Sequence, residues 1–207
     1  MKKQKNIIEA PFGETKVLLH TCCAPCSSAI IEALLKNGIT PVIYYCNPNI
    51  FPQEEYEIRK DECTRYAKAL GLEIVDADYD HDRWLEAMKG LETEPERGGR
   101  CLKCFKLRLL RTAEYARDHG FKVITTTLAS SRWKSLDQIN EAGLWACNAV
   151  ENVPPDDENI PPDDRVIWWQ YNWRKGGLQE RRLQIIKEYD FYNQQYCGCE
   201  FSMRNKG

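Results

Sequence analysis

Segments with strand and helix patterns alternate along most of this chain. Short runs of apolar and β-branched residues, typical of buried strands, occur at residues 16–20, 41–47, 72–77, 121–128 and 166–173. Helical patterns follow them at residues 24–37, 53–70, 84–88, 100–119 and 179–192. This order predicts an α/β fold in which helices cover both faces of a mostly parallel sheet, joined by right-handed crossovers.

The length and composition of the chain indicate one compact domain. Its 207 residues, of which 43% are hydrophobic and 29% charged, are enough for one well-buried core and do not fit a disordered or fibrous protein. We therefore expect a single α/β domain over residues 1–207. Within it, residues 1–15 are an N-terminal extension, residues 153–164 an acidic proline-rich loop and residues 197–207 a cysteine-bearing tail.

The first twenty residues start with basic side chains, but polar residues and glycine interrupt every apolar run among them. This pattern does not fit a signal peptide, and no stretch approaches the roughly 20 apolar residues of a membrane helix. We therefore expect a cytoplasmic protein that has no membrane partner. In a reducing cytoplasm the ten cysteines are expected to be metal ligands or redox thiols before structural disulfides.

Two cysteine motifs lie at the predicted starts of helices. The sequence CCAPC places Cys22, Cys23 and Cys26 after the first strand, at the sheet edge where ligands of parallel sheets bind. Cys101 and Cys104 form a CxxC pair at a helix start, where the helix dipole stabilises thiolates. Cysteines so spaced hold a structural zinc ion as readily as an iron-sulfur cluster, so the spacing leaves both open. The phosphate-binding motifs GxxxxGK[ST] and GxGxxG are absent from the sequence, which disfavours nucleotide hydrolysis.

A third motif, Cys197-Gly198-Cys199, lies near the end of the chain. A disulfide in so small a ring would be strained and easily reduced, which suits reversible electron transfer. Two further metal ligands are an alternative reading of the same spacing. The remaining cysteines stand alone within strand or helix patterns and are expected to be small buried residues: Cys46, Cys63 and Cys147.

The net charge of −2 conceals a basic run at residues 97–111. Such a run binds a polyanion or is simply a solvated helix face, and charge alone does not separate these two explanations.

Five motifs, in order along most of the chain, resemble the QueH family of epoxyqueuosine reductases. They are LLHTCCAPCSS, YYCNPNIFPQEEYEIRKDE, EPERGGRCLKCFKLRL, TTTLASSRWKS and YCGCEFS. The resemblance implies a Rossmann-like fold of the adenine-nucleotide-hydrolase (HUP) type, with CC where a nucleotide-binding loop would lie. The chain departs from the family pattern at residues 153–164 and 171–182, so the resemblance does not extend to these two segments.

The resemblance implies an oxidoreductase that performs the last step of queuosine formation, the two-electron reduction of the epoxide of epoxyqueuosine in tRNA. It implies that Cys197 and Cys199 are the catalytic redox pair, which forms a reversible disulfide. Cys26 is a candidate additional ligand, and the sequence does not decide whether a separate iron ion joins the cluster. The implied ligands of a [4Fe-4S] cluster are Cys22, Cys23, Cys101 and Cys104.

The implied partners are a tRNA that carries epoxyqueuosine in its anticodon and an unidentified electron donor. Basic side chains would then meet phosphates around the anticodon loop, and aromatic side chains would stack on its bases. The residues expected to contact tRNA are Arg97, Arg100, Lys103, Lys106, Lys134, Arg174 and Lys175.

Overall fold

The computed structural model describes residues 7–151, 165–192 and 194–203. The strands in these residues are β1 (Lys16–His20), β2 (Thr40–Tyr45), β3 (Ile74–Asp76), β4 (Val123–Thr126) and β5 (Ile167–Trp168). They form one sheet in the order β3-β2-β1-β4-β5, and every pairing between neighbouring strands is parallel. The predicted α/β fold with a parallel sheet is confirmed.

The helices form two groups, one on each face of the sheet. They are α1 (Ala24–Lys36), α2 (Gln53–Ala69), α3 (His81–Met88), α4 (Gly99–Asp118), α5 (Leu136–Val150), α6 (Leu178–Glu188) and α7 (Glu200–Met203). Helix α1 packs against α2 and α6, whereas α4 packs against α3 and α5. The groups lie on opposite faces because the chain builds the sheet outward from β1 to β3, then returns through right-handed crossovers to add β4 and β5 on the other side.

The central strand β1 is buried on both faces. Val17, Leu18 and Leu19 are all fully buried, although adjacent side chains of a strand point to opposite faces of the sheet. Helices must therefore cover both faces of this strand. This accounts for the continuous apolar run that the sequence shows at β1.

Helix α5 was not expected from the sequence, because its pattern LDQINEAGLWACNAV mixes apolar, polar and glycine residues. The Ser135 side chain caps it by accepting a hydrogen bond from the backbone N–H of Gln138. Gly143 lets the helix approach β5 closely, since a Cβ atom there would lie 2.1 Å from Cδ2 of Trp168. Tertiary packing against α4 and the sheet, more than local propensity, places this helix.

Strand β5 covers two residues instead of the predicted 166–173. Beyond Trp168 the rings of Trp169, Tyr171 and Trp173 pack on one another, with ring centroids 4.2–5.6 Å apart. These aromatic residues suggested a long strand, but their side chains instead fill the core beside a short one.

The predicted acidic loop at residues 153–164 lies outside the described residues. Of the predicted tail, residues 197–203 are described and end in α7. In the described parts of the chain, no helix is long and apolar enough to cross a membrane.

The carboxyl ends of β2, β1 and β4 are adjacent in the sheet. Cys46, Cys22 and Thr127 follow these three strands directly or after one residue. Parallel strands deliver their following residues to the same edge, which is where such sheets bind ligands. The fold therefore concentrates the chemistry-bearing side chains at this edge.

Candidate active site

His20, the last residue of β1, joins the three strand ends. Its Nδ1 lies 2.7 Å from Oγ1 of Thr126, and its Nε2 lies 3.0 Å from the carbonyl oxygen of Cys46. Burial, aided by the charge of Arg108, lowers the pKa of His20 to about 3, so the ring is neutral. Because a carbonyl only accepts, Nε2 carries the proton and the Thr126 hydroxyl donates to Nδ1. Both ring nitrogens are thus used to hold the strands together.

Arg108 brings helix α4 to the same edge. Its buried guanidinium donates from Nε to the carbonyl oxygen of Cys46 at 3.1 Å and from Nη2 to Oδ1 of Asn47. Asn47 in turn donates from Nδ2 to the carbonyl oxygen of Thr21 at 2.9 Å. This network fixes α4, and with it the CxxC motif, relative to the residues that follow β1 and β2.

Cys22, Cys23 and Cys26 come together in the turn from β1 into α1. Cys23 is the N-cap residue in an extended conformation, and Pro25 in the first turn starts the helix at once. The three Sγ atoms lie within 4.8 Å of one another, and those of Cys22 and Cys23 are 3.9 Å apart. No other three cysteine, histidine or acidic side chains within the described ranges are grouped so closely.

One sulfur of this group favours the thiolate form. Hydrogen bonds from Cys23 and Cys26, with a further one from the Thr127 hydroxyl at 3.4 Å, lower the pKa of Cys22 well below its usual value. Burial raises the pKa of Cys23, and the hydrogen bond to Cys22 raises the pKa of Cys26 to about 12. In this turn, two thiols therefore donate hydrogen bonds to a third sulfur that favours the thiolate form. Sulfur ligands of this kind suit soft metal ions.

A small cavity beside this turn is lined by the other two cysteine motifs. Cys101 and Cys104 lie in the first two turns of α4, and Cys197 and Cys199 line the same cavity from the tail. Burial raises the pKa of Cys101 and of Cys104, and it raises the pKa of Cys199 to about 11. The expected stabilisation of thiolates by the helix dipole is therefore outweighed by burial at the CxxC pair.

A buried ion pair holds the segment that carries the CxC motif. Arg59 donates from Nε to Oε1 of Glu55 at 2.7 Å, and both side chains are buried. Its remaining nitrogens donate to the carbonyl oxygens of Tyr196 and Cys197, each at 3.2 Å. Helix α2 thus fixes the backbone immediately before and within the CxC motif.

Gly198 permits the close approach that this arrangement needs. Its φ is +111°, and a Cβ atom there would lie 2.9 Å from Cγ1 of Ile50 and 3.0 Å from Nη1 of Arg59. Its carbonyl oxygen accepts a hydrogen bond from the backbone N–H of Phe51 at 2.9 Å. A glycine between the two cysteines is therefore required both for conformation and for space.

A larger cavity of about 490 Å³ adjoins the small one. Its volume falls within the range of small-molecule binding sites, roughly 300–1,000 Å³. Cys22 and Cys26 line the larger cavity, whereas Cys197, Trp133 and Lys134 line both. All three cysteine motifs therefore face one continuous site.

Buried polar atoms without a partner also lie at this site. They belong to residues that line the small cavity, and within the described residues they have no hydrogen-bond partner: Oδ1 of Asn49 and Nη2 of Arg100. The indole N–H of Trp84, in contrast, hydrogen-bonds the sulfur of Cys104. Unpaired buried donors are costly unless a bound group uses them, and N–H groups commonly hydrogen-bond the sulfur atoms of metal centres. Clustered thiols with the N–H groups of Trp84 and Arg100 nearby fit a sulfur-ligated metal group.

The basic residues predicted to contact tRNA have different surroundings. Arg100 is buried and donates to the carbonyl oxygens of residues 91, 92 and 94, and Lys106 pairs with Glu141 at 2.8 Å. Lys103 is exposed on α4, whereas Lys175 lines a separate cavity beside α1.

Arg97 and Arg174 donate to backbone carbonyls of residues 132–134. Of the seven basic residues, Arg97, Arg100 and Lys134 line the cysteine cavities.

The three isolated cysteines, Cys46, Cys63 and Cys147, are buried, which confirms that prediction. The sequence did not single out Thr127 or Arg59, which contact the cysteine motifs. Both lie within motifs that were recognised, TTTLASSRWKS and YYCNPNIFPQEEYEIRKDE, but nothing in the local pattern distinguishes them from surface or core residues.

The chain matches proteins whose function has been assigned. Residues 17–205 match the family described as "Epoxyqueuosine reductase QueH". A protein of that name from Haemophilus influenzae is 48% identical over 198 residues, which cover 96% of this chain and 76% of the relative. Another from Acinetobacter baylyi is 44% identical over 205 residues, which cover 99% of this chain and 88% of the relative.

Among solved structures, the U34-tRNA thiolase NcsA from Methanococcus maripaludis with its [4Fe-4S] cluster aligns with a TM-score of 0.49 and 11% identity. The alignment covers 91% of this chain and 62% of that one. The family assignment depends on the sequence relatives alone. Because the family match spans nearly the whole chain and the relatives share 44–48% identity with it, the chain belongs to the QueH family of epoxyqueuosine reductases, which are oxidoreductases.

Proposed function

We propose that this protein reduces the epoxide of epoxyqueuosine in tRNA to the alkene of queuosine. Both carbon–oxygen bonds of the epoxide break, a carbon–carbon double bond forms, and the oxygen leaves as water. The reaction consumes two electrons and two protons. The observation that carries the proposal is that three cysteine motifs face one continuous cavity in a member of the epoxyqueuosine reductase family.

Cys197 and Cys199 are the proposed redox pair. Oxidation of two thiols to a disulfide releases two electrons and two protons, which is what one epoxide consumes. Cys197 is exposed and lines both cavities, whereas Cys199 is buried behind it. After each turnover an electron donor, which is a separate partner, must reduce the disulfide again. A strained ring makes that reduction easier.

A metal group held by cysteine sulfur is the proposed cofactor, as an iron-sulfur cluster of the [4Fe-4S] type. Cys26 lies close enough to Cys22 and Cys23 to be a further ligand, to the cluster or to a separate iron ion. When bound, the cluster would supply electrons one at a time. The proposed ligands of the cluster are Cys22, Cys23, Cys101 and Cys104.

The thiol geometry also fits one zinc ion. Sulfur atoms around a tetrahedral ion with metal–sulfur bonds of ~2.3 Å lie ~3.8 Å apart, close to the 3.9 Å between Cys22 and Cys23. A zinc-stabilised RNA-binding protein without redox chemistry is therefore the second candidate. Metal content distinguishes the two candidates directly.

Charged side chains at the cavities would bind and orient the substrate. Arg108 and Lys134 line both cavities and supply positive charge. Positive groups fixed around a reacting oxygen stabilise the negative charge that develops on it as its bonds break. Asn49 offers an unpaired amide oxygen, which accepts hydrogen bonds from hydroxyl or amino groups of a nucleoside.

Turnover of tRNA carrying epoxyqueuosine by anaerobically purified protein tests the proposal. We expect queuosine to form and the protein to contain iron and sulfide. Cys197→Ser should retain the metal and lose turnover, whereas Cys22→Ser should lose the metal. Cys147→Ala is the control, since Cys147 is buried in α5 and lines neither cysteine cavity. Stoichiometric zinc without iron, or unchanged turnover by Cys197→Ser, would contradict the proposal.

A further inference from the structure

An exposed tryptophan stands at the rim of the cysteine cavities. Trp133 is 71% exposed, yet it lines both cavities together with the buried side chain of Arg108. The ring therefore lies where the floor of the site opens to solvent. A large aromatic side chain left unburied at a cavity rim marks a candidate contact for a ligand.

The backbone that carries this ring is held in place from outside. Arg97 donates to the carbonyl oxygens of Arg132 and Trp133 at 2.9 and 3.0 Å, and Arg174 donates to that of Lys134 at 2.7 Å. Three consecutive carbonyls thus each accept a hydrogen bond from an arginine. The turn is fixed by charge-assisted bonds while the ring itself remains exposed. Such preorganisation lowers the entropic cost of binding.

The charges beside the ring suit a polyanion. Arg132 is exposed and Lys134 half-buried, and both line the larger cavity on either side of Trp133 in sequence. One carboxylate, that of Glu96, also lines this cavity. An aromatic face flanked by cations is the combination with which proteins bind single-stranded nucleic acid, because bases stack on the ring while phosphates meet the charges.

The size of the cavity indicates where neighbouring nucleotides must lie. A volume of about 490 Å³ is of the order of a single small ligand. A nucleotide that enters this cavity while still part of an RNA strand leaves its neighbours outside, at the rim. Among the described residues that line this cavity, Trp133 is the exposed aromatic residue on which such a neighbour could stack.

We propose that Trp133 is a stacking platform for a base next to the reacting nucleotide, held in position by Arg97 and Arg174. This inference rests on the proposed function, because it takes RNA to be the substrate. The platform makes the protein prefer a nucleotide within an RNA loop, since the stacked base contributes to binding but takes no part in the reaction. Stacking on a ring tolerates any base, so the preference concerns strand context more than sequence.

Binding of a fluorescein-labelled anticodon stem–loop RNA carrying epoxyqueuosine, followed by anisotropy, tests the platform without depending on turnover. Trp133→Ala should weaken binding about fivefold or more, since stacking of one base is worth ~1–3 kcal/mol. Trp133→Phe, which keeps a ring, should bind within about threefold of the wild type. Trp145→Ala is the matched control, because Trp145 is 42% exposed on α5 and lines neither cysteine cavity.

Turnover measured on the same variants separates this inference from the proposed function. We expect Trp133→Ala to raise KM and leave kcat within about twofold. Wild-type protein that binds the RNA but does not reduce it would contradict the proposed reductase activity, but it would not contradict the stacking role of Trp133. Equal binding by Trp133→Ala and the wild type, equal losses in Trp133→Phe and Trp133→Ala, or no binding by the wild type would each overturn the platform.

Discussion

Replacement of Arg59 by methionine tests how the redox tail is held. The guanidinium makes hydrogen bonds of 2.6 and 2.7 Å to Glu55, and two more to the carbonyls of Tyr196 and Cys197. Arg59 and Glu55 are only 2% and 8% exposed. Removing one partner of a buried pair leaves an uncompensated charge and costs about 3–5 kcal/mol. That is a large part of a typical unfolding free energy of ~5–15 kcal/mol.

Urea unfolding at pH 7 measures this loss, and turnover measures its effect on the CxC motif. We expect Arg59→Met to lower the free energy of unfolding by about 3–5 kcal/mol and to reduce turnover. Adding Glu55→Gln should recover more than about 1 kcal/mol, because no charge is then left unpaired. Lys89→Met, which breaks the exposed pair with Glu86, should cost less than about 1 kcal/mol. Equal losses for Arg59→Met and Lys89→Met, or full turnover by Arg59→Met, would refute the reasoning.

Three further substitutions have defined outcomes. Gly198→Ala should strain the backbone by about 1–3 kcal/mol and speed chymotryptic cleavage of the tail; unchanged cleavage would show that the tail tolerates a side chain there. Gly143→Ala forces a methyl group against Trp168 and should lower the free energy of unfolding, measured with urea, by about 1–3 kcal/mol; an unchanged free energy of unfolding would contradict this packing. A hydrogen bond from Arg181 holds the pKa of Glu32 below its usual 4.5. Its stabilising contribution is therefore complete above about pH 4.5 and is lost as pH falls through the folded-state pKa. Glu32→Gln should show a smaller loss of stability on acidification than the wild type, and an equal loss would contradict the pairing.

Periodicity predicted the architecture because a parallel sheet buries its strands on both faces. The apolar run at β1 and the helix that follows CC both lie where the pattern placed them. Helix α5 was missed because its stability comes from tertiary contacts, mainly with α4 and also with β5 through Gly143, which local sequence does not reveal. Strand β5 was predicted too long because the rings of Trp169 and Trp173 pack on each other in the core, and local sequence does not separate such packing from the pairing of a longer strand.

The cysteine motifs marked the site, but not the residues that assemble it. Spacing identified CCAPC, CxxC and CxC as chemically significant, and the structure brings all three to one site. The residues that join them, Arg59 and Arg108, act through contacts between residues 61–138 positions apart in the chain. A buried arginine on a helix has the same local pattern as one on a solvated face, so only the tertiary structure distinguishes them.

The position of a cysteine at a helix start did not by itself predict whether its pKa is lowered. The dipole of α4 favours thiolates at Cys101 and Cys104, but burial raises the pKa of both. At Cys22, by contrast, hydrogen bonds from neighbouring thiols lower the pKa strongly. Which thiol favours the thiolate form depends on desolvation and on contacts between side chains, and the spacing of the cysteines determines neither.

Single-turnover stoichiometry tests the central claim most directly. Anaerobic, fully reduced protein is mixed with excess tRNA carrying epoxyqueuosine, without any external reductant. Queuosine is measured by nucleoside mass spectrometry, and the peptide carrying Cys197 and Cys199 is measured for a loss of two hydrogens and for resistance to alkylation. We predict about one queuosine per chain, matched by one disulfide in that peptide. Queuosine formed while both thiols stay reduced, or no queuosine at all, would contradict the account.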